Sequence, residues 1–162
     1  MATVYIETSI IGYLTSRSAS DVIFQARQTL TRCWWDKRRA AYNLFVSQFV
    51  IDEVSAGDEM AAQERLQIID GIPLLDVTYP GVAMLADLLI EKHLLPQKAK
   101  MDAQHIAVAT IFGVDYLLTW NCKHIANADR LPGIYSTLRN EGYKPPLIVT
   151  PEEFSNDDES NL

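Results

Sequence analysis

The sequence predicts an α/β protein, a single-domain α/β/α sandwich with a central parallel sheet. Two observations carry this. Short apolar runs rich in β-branched and aromatic residues alternate with longer stretches of helical periodicity along the chain, and such alternation implies parallel strands joined by helical crossovers. The first of these runs is apolar at consecutive positions, as in a strand covered on both faces. With 162 residues and 48% hydrophobic composition, the chain can bury one full core. It holds no internal repeats and no linker long enough to divide it.

The elements follow in order. Residues 3–7 predict the first strand, and Thr8 and Ser9 offer a helix cap before residues 10–14. Ser20 and Asp21 are a second cap, ahead of Val22, Phe24, Ala26, Leu30, Cys33 and Trp34, whose spacing predicts a helix up to about Arg39. Asn43–Ser47 predicts the second strand. A helix carrying Phe49, Val50, Glu53 and Val54 follows and stops at Gly57. Residues 58–69 predict another, ended by Gly71 with Pro73 just beyond. Residues 74–78 predict the third strand. Pro80 suits the first turn of a helix over residues 81–93, and Pro96 ends that region. Residues 100–112 form the clearest helix, closed by Gly113. Residues 116–119 predict the fourth strand, 124–128 a short helical turn, 131–141 a helix that tolerates Pro132 near its start, and 147–150 the last strand. The fold is expected to occupy residues 1–151, with an acidic, disordered tail over 152–162.

Charge neither supports nor excludes a nucleic-acid partner. The chain carries 14 bases and 21 acids, but five of those acids fall after residue 151, where no Lys or Arg occurs. The remainder is close to neutral. No apolar run approaches membrane-spanning length, so no membrane association is expected. The start Met1-Ala-Thr-Val-Tyr-Ile6 has no basic segment and runs directly into a strand, so no signal peptide is expected. Cys33 and Cys122 lie far apart in unlike contexts, which argues for a reducing, cytoplasmic setting.

The acids point to chemistry. Glu7 closes the first strand, Glu53 lies on the apolar side of its helix while Asp52 faces water, and Asp102 sits in the first turn of a helix otherwise apolar or small. Asn121 follows the fourth strand. In an open parallel sheet, ligands bind beyond the carboxyl ends of the strands. Acids gathered there repel one another unless a hard cation such as Mg²⁺ or Mn²⁺ sits between them. Each residue also has an ordinary explanation: Asp102 complements a helix dipole, and a strand-end acid such as Glu7 is commonly a solvated turn residue. Their joint occurrence favours a metal site suited to phosphodiester chemistry.

Ile6-Glu7-Thr8-Ser9 after the first strand, Glu53 within Phe49-Val-Ile-Asp-Glu-Val54, Asp102-Ala-Gln-His-Ile-Ala107 and Leu117-Leu-Thr-Trp-Asn121 together resemble the PIN-domain ribonucleases. They look most like the VapC-type toxins of prokaryotic toxin–antitoxin pairs. The resemblance covers nearly the whole chain before the tail. It implies a PIN-like fold, a divalent ion (Mg²⁺ or Mn²⁺), cleavage of single-stranded or looped RNA, a homodimer and a small antitoxin partner. In such a site Glu7 and Asp102 would hold the ion, with Glu53 a further ligand or the base for a metal-bound water. Asn121 would position water or phosphate. Thr8, Ser9, Thr119, Lys98, Lys100 and Lys123 are the candidate substrate contacts. Two positions depart from the family pattern, which usually has Asp at the place of Glu7 and often Asp at the place of Asn121. The pocket then carries three charges, and a module that binds RNA or a protein without cleaving it is the alternative.

Other residues favour ordinary roles. His105, one turn after Asp102, reads as a histidine packed or hydrogen-bonded at the pocket rim. Cys122-Lys-His124 resembles half a zinc site, but no second pair accompanies it. The bases interleaved with Trp34 and Trp35 between Arg27 and Arg39 suit RNA stacking, though an amphipathic helix with its tryptophans in the core fits them better. A phosphatase of the haloacid-dehalogenase type would need an Asp-x-Asp after the first strand, and Glu7-Thr-Ser9 does not supply one.

Overall fold

The computed structural model describes residues 1–154. Five strands, β1 (Thr3–Ile6), β2 (Asn43–Ser47), β3 (Leu74–Leu75), β4 (Tyr116–Leu118) and β5 (Leu147–Val149), form one sheet in the order β3-β2-β1-β4-β5. Every pairing is parallel. Seven α-helices complete the fold: α1 (Thr8–Thr15), α2 (Val22–Lys37), α3 (Gln48–Val54), α4 (Glu59–Ile69), α5 (Val82–Glu91), α6 (Lys100–Ile111) and α7 (Leu131–Asn140). This is the predicted α/β/α sandwich. Val4, Tyr5 and Ile6 of the central strand are consecutive and fully buried. Successive side chains of a strand point to opposite faces, so both faces of β1 are covered. Among the described residues, no helix is long and apolar enough to cross a membrane.

Local chemistry sets several element boundaries. Asp21 and Asp58 cap α2 and α4 by accepting the N–H groups of Phe24 (2.9 Å) and Ala61 (3.0 Å), a satisfaction that free helix N-termini require. Two predicted segments shorten. Strand β3 ends at Leu75 because Asp76 turns the chain, its Oδ1 accepting the Thr78 N–H (2.9 Å) and hydroxyl (2.6 Å). Residues 124–128 form turns and no helix. There Asn121 Oδ1 accepts the His124 N–H (3.0 Å), and the Asn127 amide donates to the Cys122 (3.2 Å) and Lys123 (3.1 Å) carbonyls. Side-chain bonds of this kind compete with helical ones.

The fold also runs past residue 151. Residues 151–154 make a turn in which Glu153 Oε2 accepts the Thr150 N–H (2.8 Å). The Phe154 ring lies 5.7 Å from Trp34, 4.9 Å from Tyr42 and 4.4 Å from Tyr116. Glu152, Glu153 and Phe154 therefore belong with the domain, whereas residues 155–162 of the predicted tail lie outside the described residues. Trp34 and Trp35 are buried as expected, and Arg39 lies 4.8 Å over the Trp35 ring.

At the other end of β1, Thr3 and Asp115 lock its register against β4. Thr3 donates its N–H (2.8 Å) and hydroxyl (3.0 Å) to Asp115 Oδ2, and the Asp115 N–H returns to Thr3 Oγ1 (2.9 Å). The Thr3 N–H, then the Thr3 hydroxyl, hold the Asp115 carboxyl below its ordinary value of 3.8. A depressed carboxylate stabilises the fold at pH values above its unfolded pKa and loses that contribution as pH falls through the folded one. Asp115→Asn is accordingly expected to lower the urea midpoint at neutral pH, with the difference from wild type shrinking as pH falls below about 3.8. A difference independent of pH would count against the carboxylate's charge as its source.

Candidate metal centre

The strand order reverses at β1. The chain passes from β1 to β2 on one side and returns as β4 on the other, so the carboxyl ends of β1 and β4 flank the crevice that binds ligands in such sheets. Glu7 leaves β1 directly into this crevice, its backbone N–H donating to the Leu118 carbonyl (3.1 Å).

The Glu7 side chain is buried. Its Oε2 accepts the Ser9 N–H (3.0 Å), the Thr119 hydroxyl (2.8 Å) and the Ser9 hydroxyl. The first of these bonds makes Glu7 the cap of α1, the role expected of Thr8 or Ser9. The same hydroxyls bind the loop after β4. Ser9 Oγ accepts the Trp120 N–H (2.8 Å), and Thr119 Oγ1 accepts the Asn121 N–H (2.9 Å).

Glu53, in the last turn of α3, is partly exposed, while Asp52 beside it faces solvent and accepts from Gln48 (2.8 Å). Glu53 Oε1 accepts the Thr8 hydroxyl (2.7 Å) and contacts Nε2 of His105. Burial pushes the Glu53 carboxyl up. The hydrogen bond and attraction from His105, with the Thr8 hydroxyl, outweigh burial and leave it below its ordinary 4.5.

His105 lies in the middle of α6 with no solvent exposure. Its Nδ1 is 2.7 Å from the Tyr5 hydroxyl, which is 2.7 Å from the Ser47 hydroxyl. Burial pushes the Tyr5 phenol far above its usual range. The Ser47 bond opposes that rise, and the charges of Glu7 and Glu53 add to it. Tyr5 therefore stays protonated.

Ligand-type atoms of Glu7, Glu53 and His105 lie within 4.8 Å of one another, and no other such trio of His, Cys, Asp or Glu occurs among the described residues. Two of the three carboxylates expected from the sequence, Glu7 and Glu53, do meet. Asp102 does not join them. It sits one turn before His105 on α6, and its Oδ2 pairs instead with His124 Nδ1 at 2.9 Å. Asn121 belongs to that second group, its Oδ1 accepting the His124 N–H. His105 takes the central place expected of Asp102, inside the cluster and not at its rim. The sequence signals were a histidine within the largely apolar stretch of α6 and a tyrosine within a buried strand, since a buried phenol needs a partner.

Of the candidate substrate contacts, Thr8, Ser9 and Thr119 spend their hydroxyls on the two carboxylates. Lys98, Lys100 and Lys123 are exposed. A cavity of about 540 Å³ lies elsewhere, against α2 and the loop after β4, and is lined in part by Ile23, Arg27, Trp120 and Cys122. It contains none of the clustered acids. No model of a known protein family matches this sequence, and no curated protein matches it.

The donor set suits a divalent ion. Two carboxylates and an imidazole converge, and neither acid has a Lys or Arg ion-pair partner among the described residues. Glu7 Oε1 and Glu53 Oε2 accept no hydrogen bond among those residues, which leaves an oxygen of each open to a cation.

Proposed function

We propose that the protein is a divalent-metal-dependent endoribonuclease of the PIN class, the toxin of a toxin–antitoxin pair. The observation that carries this reading is the convergence of Glu7 and Glu53 at the reversal point of the sheet without a Lys or Arg partner among the described residues. Like charges held so close favour Mg²⁺ or Mn²⁺ between them. Such an ion lowers the pKa of a bound water and offsets charge on the attacked phosphate. Glu7 and Glu53 would hold it. Asp102, oriented by His124, would take a proton from the attacking water through a hydrogen bond, and Asn121 would keep the loop after β4 in place. Lys100, two residues before Asp102, and Lys123, next to His124, are placed by sequence to meet substrate phosphates, with Lys98 close behind. The same reading implies a small antitoxin, a second copy of the chain and a cytoplasmic setting.

A second reading, a module that binds RNA or a protein without cleavage, draws on a specific observation. Glu53 and Asp102 each have a histidine partner, so internal contacts already compensate them without an ion. Incubating mixed structured RNAs with Mg²⁺ or Mn²⁺ separates the two. Cleavage by wild type that EDTA abolishes and Asp102→Asn reduces by about 10²–10⁴-fold, the usual range for a positioned acid or base, is the expected result. A folded wild type that cleaves nothing and gains no thermal stability from metal would support the binding module.

A further inference from the structure

We infer that His105 is a nitrogen ligand of the ion, and that the Tyr5–Ser47 hydroxyl pair lets its ring turn from donor toward Glu53 into ligand. The inference rests on the metal reading above and names a ligand that acidic residues alone would not predict.

An ionised carboxylate only accepts hydrogen bonds. With Glu53 ionised, His105 Nε2 carries the ring hydrogen and donates it to Glu53 Oε1. Nδ1 then presents a lone pair, filled by the Tyr5 O–H, whose oxygen accepts the Ser47 O–H. In this arrangement every donor points toward Glu53. A metal ligand needs the opposite: a free pair on Nε2 and its hydrogen on Nδ1, donated to a supporting oxygen.

The structure accommodates both arrangements with the same atoms. In the second, Nδ1–H donates to the Tyr5 oxygen, and the Tyr5 O–H donates to Ser47 Oγ. The ring keeps one hydrogen and each hydroxyl keeps one, so the two arrangements hold the same number of protons. A carbonyl or carboxylate at Nδ1 would hold the ring in a single tautomer, because neither can donate. Tyr5 and Ser47 can each donate or accept, and both are buried beside a fully buried imidazole. In both arrangements the imidazole and the two hydroxyls each keep a hydrogen bond with one another. Glu53 also keeps its Thr8 bond when Nε2 turns to the ion.

This ligand set has a consequence for metal choice. Mg²⁺ takes oxygen donors almost exclusively, whereas imidazole suits transition metals. A site of two carboxylates and one imidazole therefore prefers Mn²⁺ to Mg²⁺.

The test is pulsed electron paramagnetic resonance of Mn²⁺ bound to the full chain, with natural and ¹⁵N-labelled histidine. The expected spectrum shows coupling from one directly bound histidine nitrogen, retained in His124→Gln and absent in His105→Gln. Calorimetry adds a second readout. Tyr5→Phe is expected to weaken Mn²⁺ binding about 10- to 100-fold, the usual effect of removing a supporting partner from a ligating histidine, and to change Mg²⁺ binding much less. Bound Mn²⁺ without nitrogen coupling in the wild type overturns the inference and leaves the carboxylate site standing. So does coupling that vanishes in His124→Gln. Failure to bind Mn²⁺ at all removes the metal reading, and the inference with it. The wild-type and His124→Gln spectra together still test the inference if a variant at buried His105 fails to fold.

Discussion

Glu7→Gln is expected to lower metal-dependent RNA cleavage by at least about 100-fold, because losing a mere supporting partner of a metal ligand already costs about 10- to 100-fold. Its metal-free melting temperature is expected to stay close to that of wild type. Ligand-type atoms of Glu7 and Glu53 lie within 4.8 Å. Two unit charges at that separation repel by on the order of 3 kcal/mol at an effective dielectric constant of about 20. The substitution removes that repulsion. It also weakens the bonds from Ser9 and Thr119, since neutral hydrogen bonds contribute about 0.5–1.5 kcal/mol each against about 1.5–3 for charged ones. The two changes have similar size and opposite sign. A residue that merely capped α1 would lose stability on neutralisation and leave cleavage intact. Melting curves with and without Mn²⁺, run beside the cleavage assay, tell these cases apart: a clear drop in metal-free melting temperature with wild-type cleavage would reduce Glu7 to a cap. Glu7→Asp keeps the charge but withdraws the oxygens by about an ångström or more, enough to impair a positioned group. It is expected to fall between wild type and Glu7→Gln.

The sheet was legible because its signal is local. Consecutive buried residues such as Val4, Tyr5 and Ile6 announce a central parallel strand without knowledge of any neighbour. The misread boundaries have a common cause. Asp76, Asn121 and Asn127 bond to nearby backbone groups, and periodicity does not show which side chains will do so. For the site, sequence order placed Glu7 at the crevice, and helical geometry separated Glu53 from solvent-facing Asp52. Neither could show which group opposes which across the crevice. Asp102 and His105 share a face of α6, yet Asp102 meets His124 from the loop after β4, and His105 meets Tyr5 and Glu53. That assignment depends on how far α6 has slid along the sheet, a tertiary quantity that no motif spacing contains. Tyr5 reads as core in the sequence for the same reason: the hydroxyl that occupies its partner arrives from Ser47 at the end of β2.

Trp34→Ala is expected to cost about 3–5 kcal/mol, as removing a large buried ring does. At about 2–4 °C per kcal/mol for a chain of this size, the melting temperature falls by about 6–20 °C. Trp34 is almost fully buried in α2, with its ring centre 5.9 Å from Tyr42 and 5.7 Å from Phe154. Its loss leaves a void that these neighbours share. Trp34→Phe is expected to cost far less. The indole Nε1 is buried with no hydrogen-bond partner among the described residues, and such an orphan donor costs about 1–3 kcal/mol. Phenylalanine gives up some packing and removes that penalty. Equal loss from both substitutions would show that the indole N–H has a partner, such as a bound water. The position of the cluster adds a second expectation. Tyr42 precedes β2 and Tyr116 opens β4, so the ring cluster sits at the amino ends of the strands, across the sheet from Glu7 and Thr119. Trp34→Ala should therefore leave metal affinity per folded molecule near wild type at temperatures below its transition. A parallel loss of affinity would mean that α2 transmits strain to the crevice, and the route available is the bond from Trp120 Nε1 to Thr31 Oγ1 (2.7 Å), which ties the loop after β4 to that helix.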